Sequence, residues 1–224
     1  MSRSLLLAFS VSMGCAAAKP PPPPPYTPVN SPEPVTSCKM ESTDAKAARE
    51  ALLESDSGAA REAATRAVLA HAECERRHFD ELPMESSSEQ QFLDGVVTSA
   101  RDQFQTTQIL YQEVVKYGLV RWVIGGNSRL GDLHAAFADK MRGAPVPGDL
   151  RAPVERASWI GDIEDIARVV EAEAKIPYQE ALLTADQVPA EGRDEDLRRW
   201  IQGACAGLMR VDPPKAQALS MCRR

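Results

Sequence analysis

The sequence predicts an all-α fold in which antiparallel helical hairpins stack as a small solenoid or pack as a bundle. Alanine, leucine, glutamate and arginine dominate the composition, and aromatic residues make up only 5% of the chain. Such a composition favours helices. No run alternates apolar and polar residues over enough positions to indicate a half-buried strand. Clusters of glycine, proline and serine divide the sequence into segments of helical length.

Eight helical segments are predicted: about 43–55, 58–81, 88–117, 119–142, 150–175, 178–185, 193–210 and 215–222. Ser87 or Ser88 can cap the third segment, along which apolar residues recur at helical spacing. Gly118 follows that segment, as glycine commonly does at the C-terminus of a helix. Pro177 is expected to stop the fifth segment, because proline removes a backbone donor. Short connectors indicate that neighbouring helices run antiparallel.

The first fifteen residues predict export and lipid attachment. Arg3 precedes a largely apolar, uncharged run from Leu5 to Gly14. This is the pattern of a secretory signal, and the run is shorter than the about 20 residues that span a bilayer. Ser12-Met13-Gly14-Cys15 resembles the lipobox of bacterial lipoproteins, with Ser12 where leucine is usual. We therefore expect a lipoprotein signal peptide over residues 1–14 and lipidation of Cys15.

Lipidation would place the protein on a membrane surface, because two or three acyl chains anchor a protein stably. Ala16, directly after Cys15, lacks the acidic character often linked to retention in the inner membrane. An outer membrane lipoprotein that faces the periplasm is therefore expected. The alternative is ordinary signal cleavage after the alanines 16–18, which would leave a soluble periplasmic or secreted protein.

A proline-rich tether is predicted after the lipidated cysteine, over residues 15–37. Residues 19–37 carry nine of the seventeen prolines of the chain. Proline fixes φ and favours the extended polyproline II conformation. At about 3.1 Å per residue, the tether can hold a domain roughly 50 Å from its anchor. A ligand for a polyproline-binding module is the alternative. Residues 38–224 then form one helical domain.

The charge of the chain bears on its partners. The formal net charge is −6, and removal of Arg3 with the signal peptide would make it about −7. This balance argues against binding to nucleic acid and against a basic patch for anionic lipid.

Four cysteines follow the tether: Cys38, Cys74, Cys205 and Cys222. An even number of cysteines in an oxidising compartment indicates disulfides. In an antiparallel hairpin, residues equidistant from the turn lie opposite each other, and Cys38 and Cys74 are each eighteen residues from Asp56. Cys205 and Cys222 lie almost symmetrically about a Pro-Pro pair. We therefore predict the pairs Cys38–Cys74 and Cys205–Cys222. Free buried thiols are the alternative, and a metal site is disfavoured because no Cys-x-x-Cys pair is present.

The middle of the domain carries a series of short motifs: Tyr111-Gln112-Glu113-Val114-Val115-Lys116-Tyr117-Gly118, Arg121-Trp122, Arg129-Leu130-Gly131-Asp132, Phe137-Ala138-Asp139 and Ala144-Pro145-Val146-Pro147. This series resembles a degenerate segment of tetratricopeptide-repeat envelope proteins of Gram-negative bacteria. Leu130, Gly131 and His134 occupy the Leu-Gly-x-x-Tyr positions of the repeat, with His134 in place of tyrosine. No clean period of about 34 residues runs along the chain.

The resemblance implies a binding scaffold that presents a concave surface to a peptide or partner protein, and it does not imply an enzyme. The candidate partner-binding side chains lie in the same segment: Tyr111, Tyr117, Arg121, Trp122, Arg129 and His134. The three tryptophans are expected to pack between helices, although Trp122 or Trp200 is also a candidate interface anchor.

A weaker alternative is a metal site on the second predicted helix. His71, Glu75 and His78 lie at positions i, i+4 and i+7, and this spacing could place two imidazoles and a carboxylate around zinc. A solvated helix face with ion pairs between neighbouring turns is the more ordinary interpretation. No cofactor is expected.

Catalytic motifs do not emerge from the sequence. The carboxylates Asp162, Glu164 and Asp165 lie in an acidic stretch with Arg168 one turn away, which disfavours acid–base catalysis. Gly125-Gly126 lacks the lysine of a phosphate-binding loop and is expected to mark close helix packing or a break. The sequence therefore predicts a lipid-anchored, non-enzymatic adaptor that binds an envelope protein. A periplasmic ligand or metal carrier is the alternative, and a hydrolase with an unfamiliar site is a third possibility.

Overall fold

The computed structural model describes residues 37–223, and within this range every regular element is helical. The all-α fold class is therefore confirmed. The expected signal peptide, Cys15 and almost all of the proline-rich tether lie outside the described residues.

The α-helices are α1 (Lys39–Glu54), α2 (Gly58–Glu81), α3 (Glu89–Gln91), α4 (Thr98–Lys116), α5 (Val120–Gly143), α6 (Pro153–Glu173), α7 (Lys175–Asp186), α8 (Glu195–Val211) and α9 (Pro213–Ala218). A π-helical segment, Phe92–Val97, joins α3 to α4 without a break in the helical path. These bounds agree with the predicted segments to within a few residues.

Local sequence signals account for the helix ends. The hydroxyl of Ser57 accepts a hydrogen bond from the Ala60 backbone N–H at the start of α2, and the hydroxyl of Ser88 caps α3 in the same way. These contacts satisfy backbone donors that have no partner within the helix. Gly118, which has a φ of 73°, follows α4 and allows the reversal into α5.

Helix α6 ends shortly before Pro177, as expected. Its last residue is Glu173, whose carbonyl cannot receive a backbone hydrogen bond from Pro177, and Pro177 is itself the third residue of α7, which begins at Lys175. Proline is tolerated in the first turn of a helix because the backbone N–H there has no intrahelical acceptor. The two helices are therefore separated only by Ala174.

Helix α5 lies at the centre of the packing. It contacts α4, α6, α7 and α8, and α2 packs between α1 and α4. In a solenoid each hairpin contacts only its neighbours along the stack. A solenoid arrangement is therefore not confirmed, and the convergence of four helices on α5 has the character of a bundle.

Two apolar clusters form the core. The larger one joins α2, α4, α5 and α6 around aromatic side chains that include Phe79, Phe104 and Phe137. The smaller one joins α7 and α8 around Tyr178 and Leu208. Trp122 and Trp159 are buried, which agrees with their expected role in helix packing.

Both predicted disulfides are present. The Cys38–Cys74 bond joins the start of α1 to α2, with a Cα–Cα distance of 5.8 Å. The Cys205–Cys222 bond joins α8 to the C-terminal 3-10 turn, with a Cα–Cα distance of 5.3 Å. Each bond therefore closes a local helical unit, as the symmetry of the cysteine spacing indicated.

Glycines on α5 allow neighbouring helices to approach it closely. A Cβ atom at Gly125 would lie 2.9 Å from the Trp200 ring of α8, and one at Gly126 would lie 2.8 Å from a Val115 methyl group of α4. Because α5 runs through both residues without interruption, this pair marks close packing and not a helix break.

Substitution of Gly131 by alanine tests this packing. The new Cβ atom would overlap the ring of Tyr178, so we expect the free energy of unfolding to fall by about 1–3 kcal/mol. Gly161 of α6 is the matched control, because a Cβ atom there meets nothing within 4 Å. Gly161→Ala should stabilise the protein by about 0.5–1 kcal/mol through helix propensity. Urea denaturation followed by circular dichroism measures the free energy of unfolding of both variants. A change of the same sign in the two variants would contradict close packing at Gly131.

Candidate functional site

A groove lies where α4, α5 and α7 meet, and it encloses about 580 Å³. We call it the α4–α5–α7 groove, and its lining residues are Gln108, Gln112, Val115, Lys116, Asn127, Leu130, His134, Glu173, Ile176, Pro177 and Glu180. Helix α5 provides Asn127, Leu130 and His134, which lie at positions i, i+3 and i+7 and therefore share one face.

The glycines of α5 bring the three helices together around this groove. Gly126 lets α4 approach α5 beside Val115, and Gly131 admits the Tyr178 ring of α7 against the α5 backbone. Tyr178 is 2% exposed, and its hydroxyl donates a hydrogen bond of 2.9 Å to Asp132 of α5. The spacing between α5 and α7 is thus set by one buried side chain.

Two polar side chains are buried at the floor of the groove. Asn127 is 8% exposed and His134 is 6% exposed. Buried polar groups in folded proteins almost always have hydrogen-bond partners. The Nδ1 atom of His134 makes no hydrogen bond to any described residue, although it lies 3.5 Å from the nearest carboxylate oxygen of Glu173. A buried polar atom without a protein partner calls for an explanation, such as an ordered water or a bound ligand.

The electrostatics of the groove are mixed. Burial lowers the pKa of His134, and the charge of Glu173 and the backbone of Val170 offset this only in part. The imidazole is therefore held in its neutral form, in which one nitrogen donates and the other accepts. Lys116 and Glu180 give the lining charges of both signs. The site suits an uncharged group that can both donate and accept hydrogen bonds.

The lowered pKa of His134 predicts a pH dependence of stability. The imidazole of the unfolded chain takes up a proton near its ordinary pKa of about 6.5, before the folded protein does. The unfolded state then binds more protons, so the free energy of unfolding falls as the pH drops from about 7.5 through 6.5. We expect His134→Gln to reduce this slope in denaturation curves at several pH values, and an unchanged slope would contradict the assignment.

The predicted partner-binding residues do not assemble on one open surface. Tyr111 has no exposed area and belongs to the core. Trp122 is 7% exposed, and its indole N–H donates a hydrogen bond of 2.7 Å to Glu62. Arg121 lies over the rings of Trp122 and Trp200 and bonds to Asp194. Tyr111 and Trp122 are packing residues because the apolar stripes of α4 and α5 face inward.

Tyr117 and Arg129 are engaged within the fold. The hydroxyl of Tyr117 donates a hydrogen bond of 2.7 Å to Glu113, and Arg129 forms a 2.9 Å ion pair with Glu73 of α2. Of the six predicted residues, His134 alone lines the groove. The spacing of Asn127 and His134 along α5 was the sequence signal that could have located the groove floor.

The two histidines of the predicted metal site both lie near the carboxylate of Glu75. His71 Nε2 lies 3.3 Å from one oxygen of Glu75, and His78 Nδ1 lies 3.7 Å from the other. Gln103 of α4 donates a 2.7 Å hydrogen bond to Glu75. All three α2 side chains are mostly buried, so this is not a solvated face.

The three side chains of that set do not meet at one point. Within residues 37–223, the cluster of potential ligand atoms that all lie within 4.8 Å of one another consists of Cys38, Cys74 and His78. The spacing of Cys74 and His78, four residues apart on α2, together with the predicted Cys38–Cys74 pair, was the sequence signal that could have located this cluster.

The carboxylates of α6 are exposed or paired with arginines. Glu164 forms an ion pair of 3.0 Å with Arg142 of α5, and Asp165 pairs with Arg168 at 3.1 Å. Asp162 is exposed. Exposed or arginine-paired carboxylates lack the desolvation that raises the pKa of a general acid.

Among the helices at 37–223, none has both the length and the apolar character needed to cross a bilayer. Comparison of the chain with protein family models, with curated proteins and with solved structures found no match.

Proposed function

We propose that the chain is a non-enzymatic helical adaptor that binds a segment of a partner protein in the α4–α5–α7 groove. The observation that carries the proposal is the buried imidazole of His134, whose Nδ1 atom makes no hydrogen bond within the described residues while it lines a groove of about 580 Å³. A bound segment would supply the missing partner and offset the cost of burying that atom.

The side chains of the groove favour a peptide segment. Gln108, Gln112 and Asn127 carry amides, and each amide both donates and accepts hydrogen bonds, as a peptide backbone does. Val115 and Ile176 supply apolar area for the side chains of the segment. Ile176 is 67% exposed in this structure, so a partner that covers it removes apolar surface from water.

We further propose that the adaptor acts in the bacterial envelope. The signal-like residues 1–14, the lipobox-like Cys15 and the proline-rich residues that follow support an anchored domain held away from a membrane. The degenerate repeat-like motifs of α4 and α5 support a scaffold. The net charge of −6 disfavours nucleic acid as the partner.

Site-specific photocrosslinking tests the adaptor proposal. A photoreactive amino acid at Ile176, in the groove, should crosslink in intact cells to one envelope protein that mass spectrometry identifies. Leu183 is the matched control, because it is 52% exposed on the same helix α7 and does not line the groove. Crosslinks of equal yield from both positions, or from neither, would overturn the proposal.

Lipidation is tested separately. Growth with an alkyne-labelled fatty acid should label the wild-type protein, and Cys15→Ala should abolish the label and release the protein from the membrane fraction. Retention of the label in Cys15→Ala would place the acyl chain elsewhere and contradict the assignment.

A carrier for a small molecule is the second candidate, because the volume of the groove falls in the range of about 300–1,000 Å³ that is usual for small-molecule sites. Native mass spectrometry of the protein extracted from its host distinguishes the two. A stoichiometric mass increase of a few hundred daltons that disappears in Asn127→Leu favours the carrier, and an unmodified mass together with an Ile176 crosslink favours the adaptor.

A further inference from the structure

His78 lies directly against the Cys38–Cys74 disulfide. The Cys38 sulfur is 3.8 Å from each ring nitrogen of His78, and the three potential ligand atoms lie within 4.8 Å of one another. We propose that Cys38, Cys74 and His78 bind a divalent metal ion such as zinc when the two cysteines are in the dithiol form. Cys38 and Cys74 then close the loop by a disulfide in one redox state and, together with His78, by a metal ion in the other.

The spacing between the Cys38 sulfur and the His78 ring is close to that of a tetrahedral zinc site. With Zn–S bonds of about 2.3 Å and Zn–N bonds of about 2.0 Å, sulfur and nitrogen ligands lie about 3.6 Å apart and two sulfurs about 3.8 Å apart. The observed distance of 3.8 Å between the Cys38 sulfur and His78 Nε2 is close to the sulfur–nitrogen value. Reduction must only allow the two sulfurs to separate, and their Cα atoms are 5.8 Å apart.

The backbone of α2 holds two of the three ligands in register. Cys74 and His78 are four residues apart on one helix, and residues at that spacing share a face. Paired ligands one turn apart on a helix are a recurrent arrangement in zinc sites. Cys38, the residue before α1, completes the set from the neighbouring helix.

Glu75 is placed to orient the imidazole. Its carboxylate lies 3.7 Å from His78 Nδ1, which is beyond hydrogen-bond distance, so a small shift of the ring on metal binding would let Nδ1 donate to it and leave Nε2 for the metal. Gln103 in turn holds the carboxylate through a 2.7 Å hydrogen bond. A carboxylate that accepts from the second nitrogen of a ligating histidine is the usual outer support of a zinc site. Water would take the fourth coordination position.

The charge balance favours the ion over free thiolates. Cys38 and Cys74 are 5% and 4% exposed, and an isolated charge in such a place is costly. Two thiolates and one neutral imidazole around a divalent ion carry no net charge. The complex therefore avoids the desolvation penalty that either thiolate would incur without the metal.

Reduction of the disulfide and binding of the metal ion are two separate steps. A dithiol reductant transfers two electrons to the Cys38–Cys74 bond, the S–S bond breaks, and the reductant leaves as its own disulfide. The ion then displaces one proton from each cysteine as two metal–sulfur bonds form, so two protons are released and the affinity rises with pH. No other covalent change is required.

The test uses the full-length chain with Cys15→Ser, Cys205→Ser and Cys222→Ser, so that one cysteine pair remains. After reduction with excess dithiol and its removal without oxygen, Co²⁺ is titrated as a spectroscopic probe. We expect one ion per chain and a thiolate-to-cobalt charge-transfer band. The oxidised form of the same protein should show no such band.

Two variants distinguish a metal site formed by the fold from cysteines that bind metal in an unfolded chain. His78→Gln should weaken binding at least tenfold, and Glu75→Gln should weaken it about 10–100-fold if Glu75 orients the imidazole. Arg77→Gln, at an exposed position of the same helix outside the cluster, should bind as the parent does. Absence of the charge-transfer band, or equal affinity in the parent and His78→Gln, would overturn the proposal. Circular dichroism of the reduced parent with and without Co²⁺ reports whether the helices are retained.

Discussion

Replacement of Tyr178 by alanine is expected to lower the free energy of unfolding by about 3–5 kcal/mol. The ring is 2% exposed and occupies the space where Cβ atoms at Gly131 of α5 and Gly207 of α8 would otherwise lie. The two facing residues are glycines, so neither has a side chain that could fill that space. The ring therefore leaves a cavity between α5, α7 and α8.

Tyr178→Phe separates packing from hydrogen bonding. It keeps the ring and removes only the hydroxyl that donates to Asp132 at 2.9 Å, so we expect a loss of about 1–2 kcal/mol. Guanidinium denaturation followed by circular dichroism measures both variants. A loss in Tyr178→Ala no larger than that in Tyr178→Phe would contradict the view that the ring sets the distance between α5 and α7. That result would also contradict the role of the Tyr178 ring in holding α5 and α7 apart at the groove.

The double variant Cys38→Ala/Cys74→Ala is expected to destabilise the protein by about 3–4 kcal/mol. The bond spans 36 residues along the chain, and its removal restores conformational freedom to that loop in the unfolded state. The bond also ties the start of α1 to α2. Equilibrium unfolding under non-reducing conditions compares the variant with the wild type.

The second disulfide supplies an internal comparison. Cys205 and Cys222 are separated by 17 residues, so the entropic effect of their bond is smaller by only about 0.6 kcal/mol. Cys205→Ala/Cys222→Ala should therefore cost about 3 kcal/mol. A cost below 1 kcal/mol for either pair would show that the corresponding loop is already constrained in the unfolded chain.

Zinc binding would alter the stability of the reduced protein. If reduced Cys38, Cys74 and His78 bind zinc, then zinc at a hundred times its dissociation constant should restore about 2.7 kcal/mol to the reduced protein. The ion would act as a replacement for the lost cross-link. Reduction would then lower stability less in the presence of zinc than in the presence of a chelator.

The helices and the disulfides could be predicted because their causes lie close together along the chain. The hydroxyls of Ser57 and Ser88 act on backbone groups three residues away, and Gly118 adopts its positive φ where the chain must reverse. The pairing of Cys38 with Cys74 required only the location of one turn. Pro177 marks the boundary between α6 and α7, because proline cannot donate a hydrogen bond to the last turn of one helix and is compatible with the first turn of the next.

The groove depends instead on contacts between residues far apart in sequence. An aromatic residue such as Tyr111 or Trp122 is recognisable from the sequence, but whether its ring faces a partner or the core depends on which helices pack against it. The packing of the helices is determined by the shapes of their surfaces. Gly126 and Gly131 contribute most, because they bring α4 and α7 against α5. Helix formation is governed by local backbone energetics, whereas the arrangement of the helices minimises voids across the whole core, and only the second process places His134 at the floor of a groove.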